Sequence, residues 1–101
     1  MKNIKVFQIA NIGGTDYAFR GFSEKLFNCD DYVLKDARLY PDKGDDETIL
    51  DSVFYDYNDY GFLNDISFVG HSMSVSDVVV IDDKAYYCES FGWKDISDYW
   101  F

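Results

Sequence analysis

The segment "VVVIDDKAYYCESF", residues 78–91, limits the fold more than any other part of the chain. Two runs that are apolar along most of their length flank a pair of aspartates. Strands of that composition, joined by a short turn, make a hairpin that is buried or central in its sheet. The chain has the material to bury it. A length of 101 residues is one domain of common size, able to bury roughly 60–70 % of its unfolded surface. Apolar residues make up 48 % of it and aromatic residues 20 %.

The companion elements follow from periodicity. Residues 2–10 alternate, with Ile4, Val6 and Gln8 on one side and Lys5, Phe7 and Ile9 on the other. This predicts a strand, ended by the turn "NIGGTD". Phe19, Phe22, Leu26 and Phe27 stand at helix-like spacing and predict a short helix around 21–28. "DYVLKDARLY" reads as a second strand, and "PDKGDD", with the single proline, reads as a surface turn. From Asp46 to about Tyr57, Ile49, Leu50, Val53, Phe54 and Tyr57 form one apolar stripe of a helix. Asp45 or Asp46 suits its N-cap, and Glu47 suits the positive end of its dipole. The tail "DISDYWF" allows one helical turn, with Tyr99, Trp100 and Phe101 pinning the C-terminus. The expected class is α+β: a small, mainly antiparallel sheet with two helices, in a single domain over residues 1–101.

"GHSMSVSDVVVI", Gly70 to Ile81, gathers the one histidine, three serines and an aspartate ahead of the apolar run. A nucleophile elbow needs glycine on both sides of its serine, and Gly70-His71-Ser72-Met73-Ser74 supplies only the first. In an extended chain Ser72, Ser74 and Ser76 share one face and His71 and Asp77 the other. Asp77 then reaches His71 only if the chain bends. Serine and aspartate side chains bond nearby backbone, and the apolar pattern shifts at Ser76-Asp77 as a bend or bulge requires. The expected role is structural, with a small hydrolase using Ser72 and His71 as a remote alternative. His71, Asp77 and Cys88 lack the spacing of a metal site, and "DKGDDE" lacks that of a calcium loop. Neither a metal nor a cofactor is expected. Cys29, beside Asp30 and Asp31, is a poor thiolate.

The 19 acidic against 9 basic residues give a net charge of −10, the wrong sign for direct DNA or RNA binding. The same charge favours a protein partner with a basic surface, including one that normally holds nucleic acid. No apolar run approaches the ~20 residues of a membrane span, and "MKNIKVFQIA" lacks a signal-peptide pattern. With only two cysteines, these features predict a reduced, soluble, cytoplasmic protein. Asp51, Tyr55 and Asp59 fall at i, i+4 and i+8 opposite the apolar stripe, with Asp56 at its edge. On a continued helix Asp51 and Asp59 would stand about 12 Å apart. Further acids cluster at Asp42, Asp45, Asp46 and Glu47 and at Asp82 and Asp83. Carboxylates could here stand in for phosphates, with tyrosines as contact anchors. The pattern equally fits an acidic protein whose charge only keeps it dispersed.

"GHSMSVSDVVVI" followed by "KAYYCESFGW" resembles the signature of the YodL-like domain family, small domains of Gram-positive bacteria, their plasmids and conjugative elements. Gly70, His71, Ser72, Met73, Ser74, Val75, Ser76, Asp77, Val78 and Val79 match its first part. Tyr86, Tyr87, Glu89, Ser90, Phe91 and Gly92 match its second. Trp93 replaces the usual phenylalanine, Cys88 stands where a β-branched residue is common, and a proline often found after the helix is missing. The amino-terminal half fits more loosely. The resemblance implies no enzymatic activity and no cofactor, and a structural role for the signature residues. Its link to mobile elements implies an anti-defence protein. The expectation is a non-catalytic anti-CRISPR-like inhibitor that occupies a basic nucleic-acid surface of a type II RNA-guided effector. An accessory protein-binding module of a conjugative element or phage is the alternative, and the oligomeric state is left open.

Overall fold

The structure, a computed structural model, describes residues 1–42, 44–58 and 70–101. The two apolar runs pair as the sequence predicts: β3 (Val78–Ile81) and β4 (Lys84–Cys88) form an antiparallel hairpin around Asp82 and Asp83. β1 (Lys2–Ile9) lies on the other side of β3, with β2 (Tyr32–Tyr40) beyond it and β5 (Trp93–Asp95) beside β4. The order β2-β1-β3-β4-β5 makes a five-stranded sheet in which every pairing is antiparallel. β5 was not anticipated, because three residues are too few to show a period.

Both faces of the sheet are covered, which is why β3 is apolar at all four positions. α1 (Asp46–Asp56) lies on one face, with Ile49, Leu50, Val53 and the following Tyr57 packed into a core with Ile4, Val6, Val79 and Ile81. On the other face Ile9, Val78, Val80, Ala85 and Tyr87 meet Tyr17, Tyr32 and Ile96, with Phe22, Phe27 and Trp100 packed around them. Each such aliphatic side chain contributes roughly 1.5–3 kcal/mol when fully buried. Ile96 is held by α2 (Ser97–Trp100), the helical turn expected in the tail. Trp100 packs edge-on to Phe7 with centroids 4.8 Å apart and Tyr99 meets the Phe22 ring at 5.2 Å, but Phe101 is exposed and does not pin the end.

The helix predicted around 21–28 does not form. Residues 11–31 run through turns, with two short 3-10 turns at Ile12–Gly14 and Cys29–Asp31. Distant side chains claim the backbone that a helix would need: Phe19 N–H donates to Ser76 Oγ (2.9 Å) and Phe22 N–H to Glu89 Oε1 (2.9 Å). Phe22 and Phe27 turn inward onto Tyr87, with centroids 5.3 and 6.1 Å away, while Phe19 and Leu26 stay exposed. Aromatic burial and these long-range bonds outweigh the local period. In α1 the helix ends at Asp56 with Tyr57 as its C-cap, and Phe54, expected in the apolar stripe, is exposed.

Candidate functional site

The bend that Asp77 needs is present. Ser76 adopts a left-handed backbone, φ 82°, and Asp77 N–H donates to the Ser74 carbonyl (3.1 Å) while Ser74 N–H donates to Asp77 Oδ2 (3.0 Å). The turn carries Asp77 back to 3.9 Å from His71, Oδ1 to Nε2. A non-glycine residue at positive φ is strained, and here the surroundings hold it. Ser76 N–H donates to the Cys88 carbonyl (3.0 Å), and Ser76 O accepts from Tyr32 OH (2.6 Å). Serine at positions 74 and 76 thus shapes a turn rather than a strand.

Gln8, fully buried on β1, closes the network. Its Nε2 donates to the His71 carbonyl (2.9 Å) and to Asp77 Oδ2 (3.0 Å), and its Oε1 accepts from His71 N–H (3.1 Å). His71 Nδ1 lies 2.7 Å from the Ser72 carbonyl. A carbonyl only accepts, so Nδ1 carries the proton. The 3.4 Å approach of Gln8 Nε2 to the same nitrogen then sets two donors face to face and is no hydrogen bond. Nε2 is left facing Asp77. Burial pushes the Asp77 carboxyl up to about 6, against the Ser74 N–H, the His71 charge and the Gln8 amide, which all favour the ionised form.

Among the described residues no serine hydroxyl bonds the imidazole. Ser76 Oγ is taken by Phe19 N–H, and Ser74 Oγ is buried with no hydrogen-bond partner. The arrangement joins β1, the turn and the edge of β4, and among the described residues it sets no nucleophile in line with a base. Also among the described residues, no group of three or more histidine, cysteine or acidic side chains is placed to hold a metal ion. No described helix is long and apolar enough to cross a membrane. Cys29 and Cys88 are free thiols, and burial, with the charges of Asp77 and Glu89, pushes Cys88 up to about 12.

The second half of the signature splits into support and surface. Tyr87 is buried and donates to the Arg20 carbonyl (2.7 Å), and half-buried Tyr86 donates to Asp46 Oδ2 (2.6 Å). Trp93 packs on the α1 core, and Gly92 takes φ 82°, which favours glycine. Gly70 is half-buried ahead of the network. Ser90 is exposed, however, and Phe91 is 97 % exposed. Neither side chain packs on the core, which corrects a packing role for them: they occupy the outer turn between β4 and β5.

The acidic residues also divide. Glu47, Asp51 and Tyr55 face solvent on α1, as predicted. Asp45 is the N-cap and accepts from Thr48 N–H (3.0 Å) and Thr48 Oγ1 (2.8 Å), bonds that hold its carboxyl below the usual range. Asp46 is not available as expected: it binds Lys2 (3.2 Å) and Tyr86, tying α1 to the sheet. Asp56 likewise accepts from Tyr40 OH (2.7 Å) and clamps the other end of the helix to β2. Asp82 exchanges bonds with the backbone of Asn3, while Asp83 is exposed. Asp59 lies outside the described residues. The fold gathers acids that are far apart in sequence, since the charges of Asp46, Asp95 and Asp83 all act on Tyr86, raising its hydroxyl further beyond the effect of burial. Asp95 had shown no signal, because its neighbourhood arises only from the pairing of β5 with β4.

α1 stands between two hollows on this face. One, about 460 Å³, lies toward Tyr40 and Pro41; the other, about 490 Å³, lies toward Tyr86, Trp93 and Asp95. Comparison with curated proteins and with solved structures returned no match. The model of the YodL-like domain matches residues 3–99, nearly the whole length of this sheet, turn and helix arrangement, and the chain belongs to the YodL-like domain family.

Proposed function

We propose that the protein acts without catalysis, as a binding protein whose α1 face seats on a basic, nucleic-acid-binding surface of a partner protein. The observation that carries this reading is the composition of that face. From Asp45 to Asp56 the helix and its cap hold five acids and no lysine or arginine. Glu47 and Asp51 stand one turn apart, both exposed, a like-charge pair that destabilises a helix by about 0.2–0.5 kcal/mol. The last turn carries no base to complement the dipole. Asp45 caps the helix and Asp46 and Asp56 are bound within the fold, so the exposed Glu47 and Asp51 and the missing base are what run against helix stability and favour attraction of a positive surface. Lys2 pairs with Asp46 at the N-terminal end of α1, and Lys84 acts on Asp95 of β5; both moderate the negative charge of this face.

The partner we infer is a defence nuclease, with a type II RNA-guided effector the first to test, and the protein an inhibitor of the kind mobile elements carry against it. Family membership supports this by association, and the exposed carboxylates support it by charge. In cells carrying a guide-loaded effector, the protein should raise survival of a targeted plasmid without lowering effector levels. Glu47→Lys with Asp51→Lys should abolish that protection while the fold persists. Purified binding should weaken steeply between low and physiological salt. Protection that is indifferent to both the charge reversal and salt would remove this face from the mechanism.

A further inference from the structure

Phe91 is the most exposed large apolar side chain of the described residues, and the turn that bears it is rigidly braced. Glu89 N–H donates to the Gly92 carbonyl (3.0 Å), Gly92 sits at φ 82°, and the Glu89 carboxylate is fixed by Phe22 N–H (2.9 Å). The backbone that carries Phe91 is thus ordered before any partner arrives, so its burial by another molecule costs only the rotamer freedom of the ring. Its neighbours Ser90 and Gly92 line a hollow of about 230 Å³ together with Asp51, Phe54 and Trp93. Phe54 is exposed on α1, and its ring meets Trp93 edge-on at 6.5 Å. The turn and the acidic face of α1 are therefore one continuous surface: an aromatic patch with Asp51 at its border.

We infer that Phe91 is the apolar anchor of the binding face, inserting into an apolar pocket of the partner protein that is bordered by lysine or arginine side chains. Interfaces concentrate their energy in aromatic side chains that enter a pocket, with charged groups around them setting approach and register. Asp51 fixes the sign of the partner's border, and Phe91 fixes the apolar character of its centre. A partner surface that is only basic, such as a flexible polycation, satisfies half of this description.

The inference rests on the reading above, and one experiment separates their failures. Plasmid protection is measured at matched expression for the native chain, Phe91→Ala, Phe91→Leu and Glu47→Lys/Asp51→Lys, with thermal unfolding of each purified protein. The expected result is a Phe91→Ala protein that melts like the native one yet loses about tenfold or more in potency, with Phe91→Leu between them. In purified binding its remaining affinity keeps the salt dependence of the native protein, whereas the charge reversal does not bind. A Phe91→Ala protein as potent as the native chain, beside an inactive charge reversal, overturns the anchor and leaves the acidic face standing. A native chain that protects against no effector overturns both. A Phe91→Ala protein that melts early also overturns the anchor, because the side chain would then be holding the fold.

Discussion

Asp77→Asn should make this protein more stable at neutral pH. Asparagine's Oδ1 can accept from both Gln8 Nε2 and Ser74 N–H, the two donors that Asp77 Oδ2 serves at 3.0 Å each. What it removes is a carboxylate 1 % exposed, whose pKa burial moves from 3.8 to about 6. In the folded chain Asp77 keeps its proton over a range where the unfolded chain has released it, so stability falls as pH rises from about 4 to about 6 and levels off above. Each pKa unit is 1.36 kcal/mol, so the full loss is on the order of 3 kcal/mol. The groups facing the carboxyl are His71, Gln8 and Ser74 N–H, with Cys88, Tyr32 and Tyr87 near enough to feel its charge. Urea unfolding followed by the fluorescence of Trp93 and Trp100, for both proteins from pH 5 to pH 8, gives the difference curve. The advantage of the variant should grow from pH 5 to pH 7 and then hold constant. A variant less stable than the native chain at pH 7.5 would refute the reasoning, because Asp77 would then be held as a carboxylate paired to a protonated imidazole.

Two further outcomes test the same buried region. Gln8→Leu removes the partner of His71 N–H and of its carbonyl, and the buried amide donor to Asp77, and should cost about 2–4 kcal/mol in urea unfolding; a loss under 1 kcal/mol would mean that the turn holds itself. Cys88, buried beneath that turn and pushed up to about 12, should resist a thiol reagent at pH 8 until the chain is denatured, and rapid labelling of the native protein at this position would contradict its burial.

Local chemistry made much of the fold legible. The apolar runs of 78–88 read as a central hairpin, Ile49, Leu50 and Val53 as a buried stripe, and Asp45 as a cap, because side-chain period and capping are properties of neighbours in sequence. The segment 11–31 misled for the same reason: its helical spacing is local, and the bonds that override it come from Ser76 and Glu89. The signature misled in a subtler way. Seen as a motif, Phe91 and His71 belong to one block, yet one is fully exposed and the other is held by Gln8 from β1.

By itself the sequence determined the α+β class, the antiparallel hairpin, the family and the sign of the surface, since composition and period act through the nearest residues and through total charge. Tertiary structure alone decided which acids are spent within the fold and which face outward. Asp46 and Asp56 are held by Tyr86 and Tyr40, while Glu47 and Asp51, on the same helix, are not. A carboxylate's availability depends on whether a donor from another strand reaches it, and that distance exists only once the sheet has assembled.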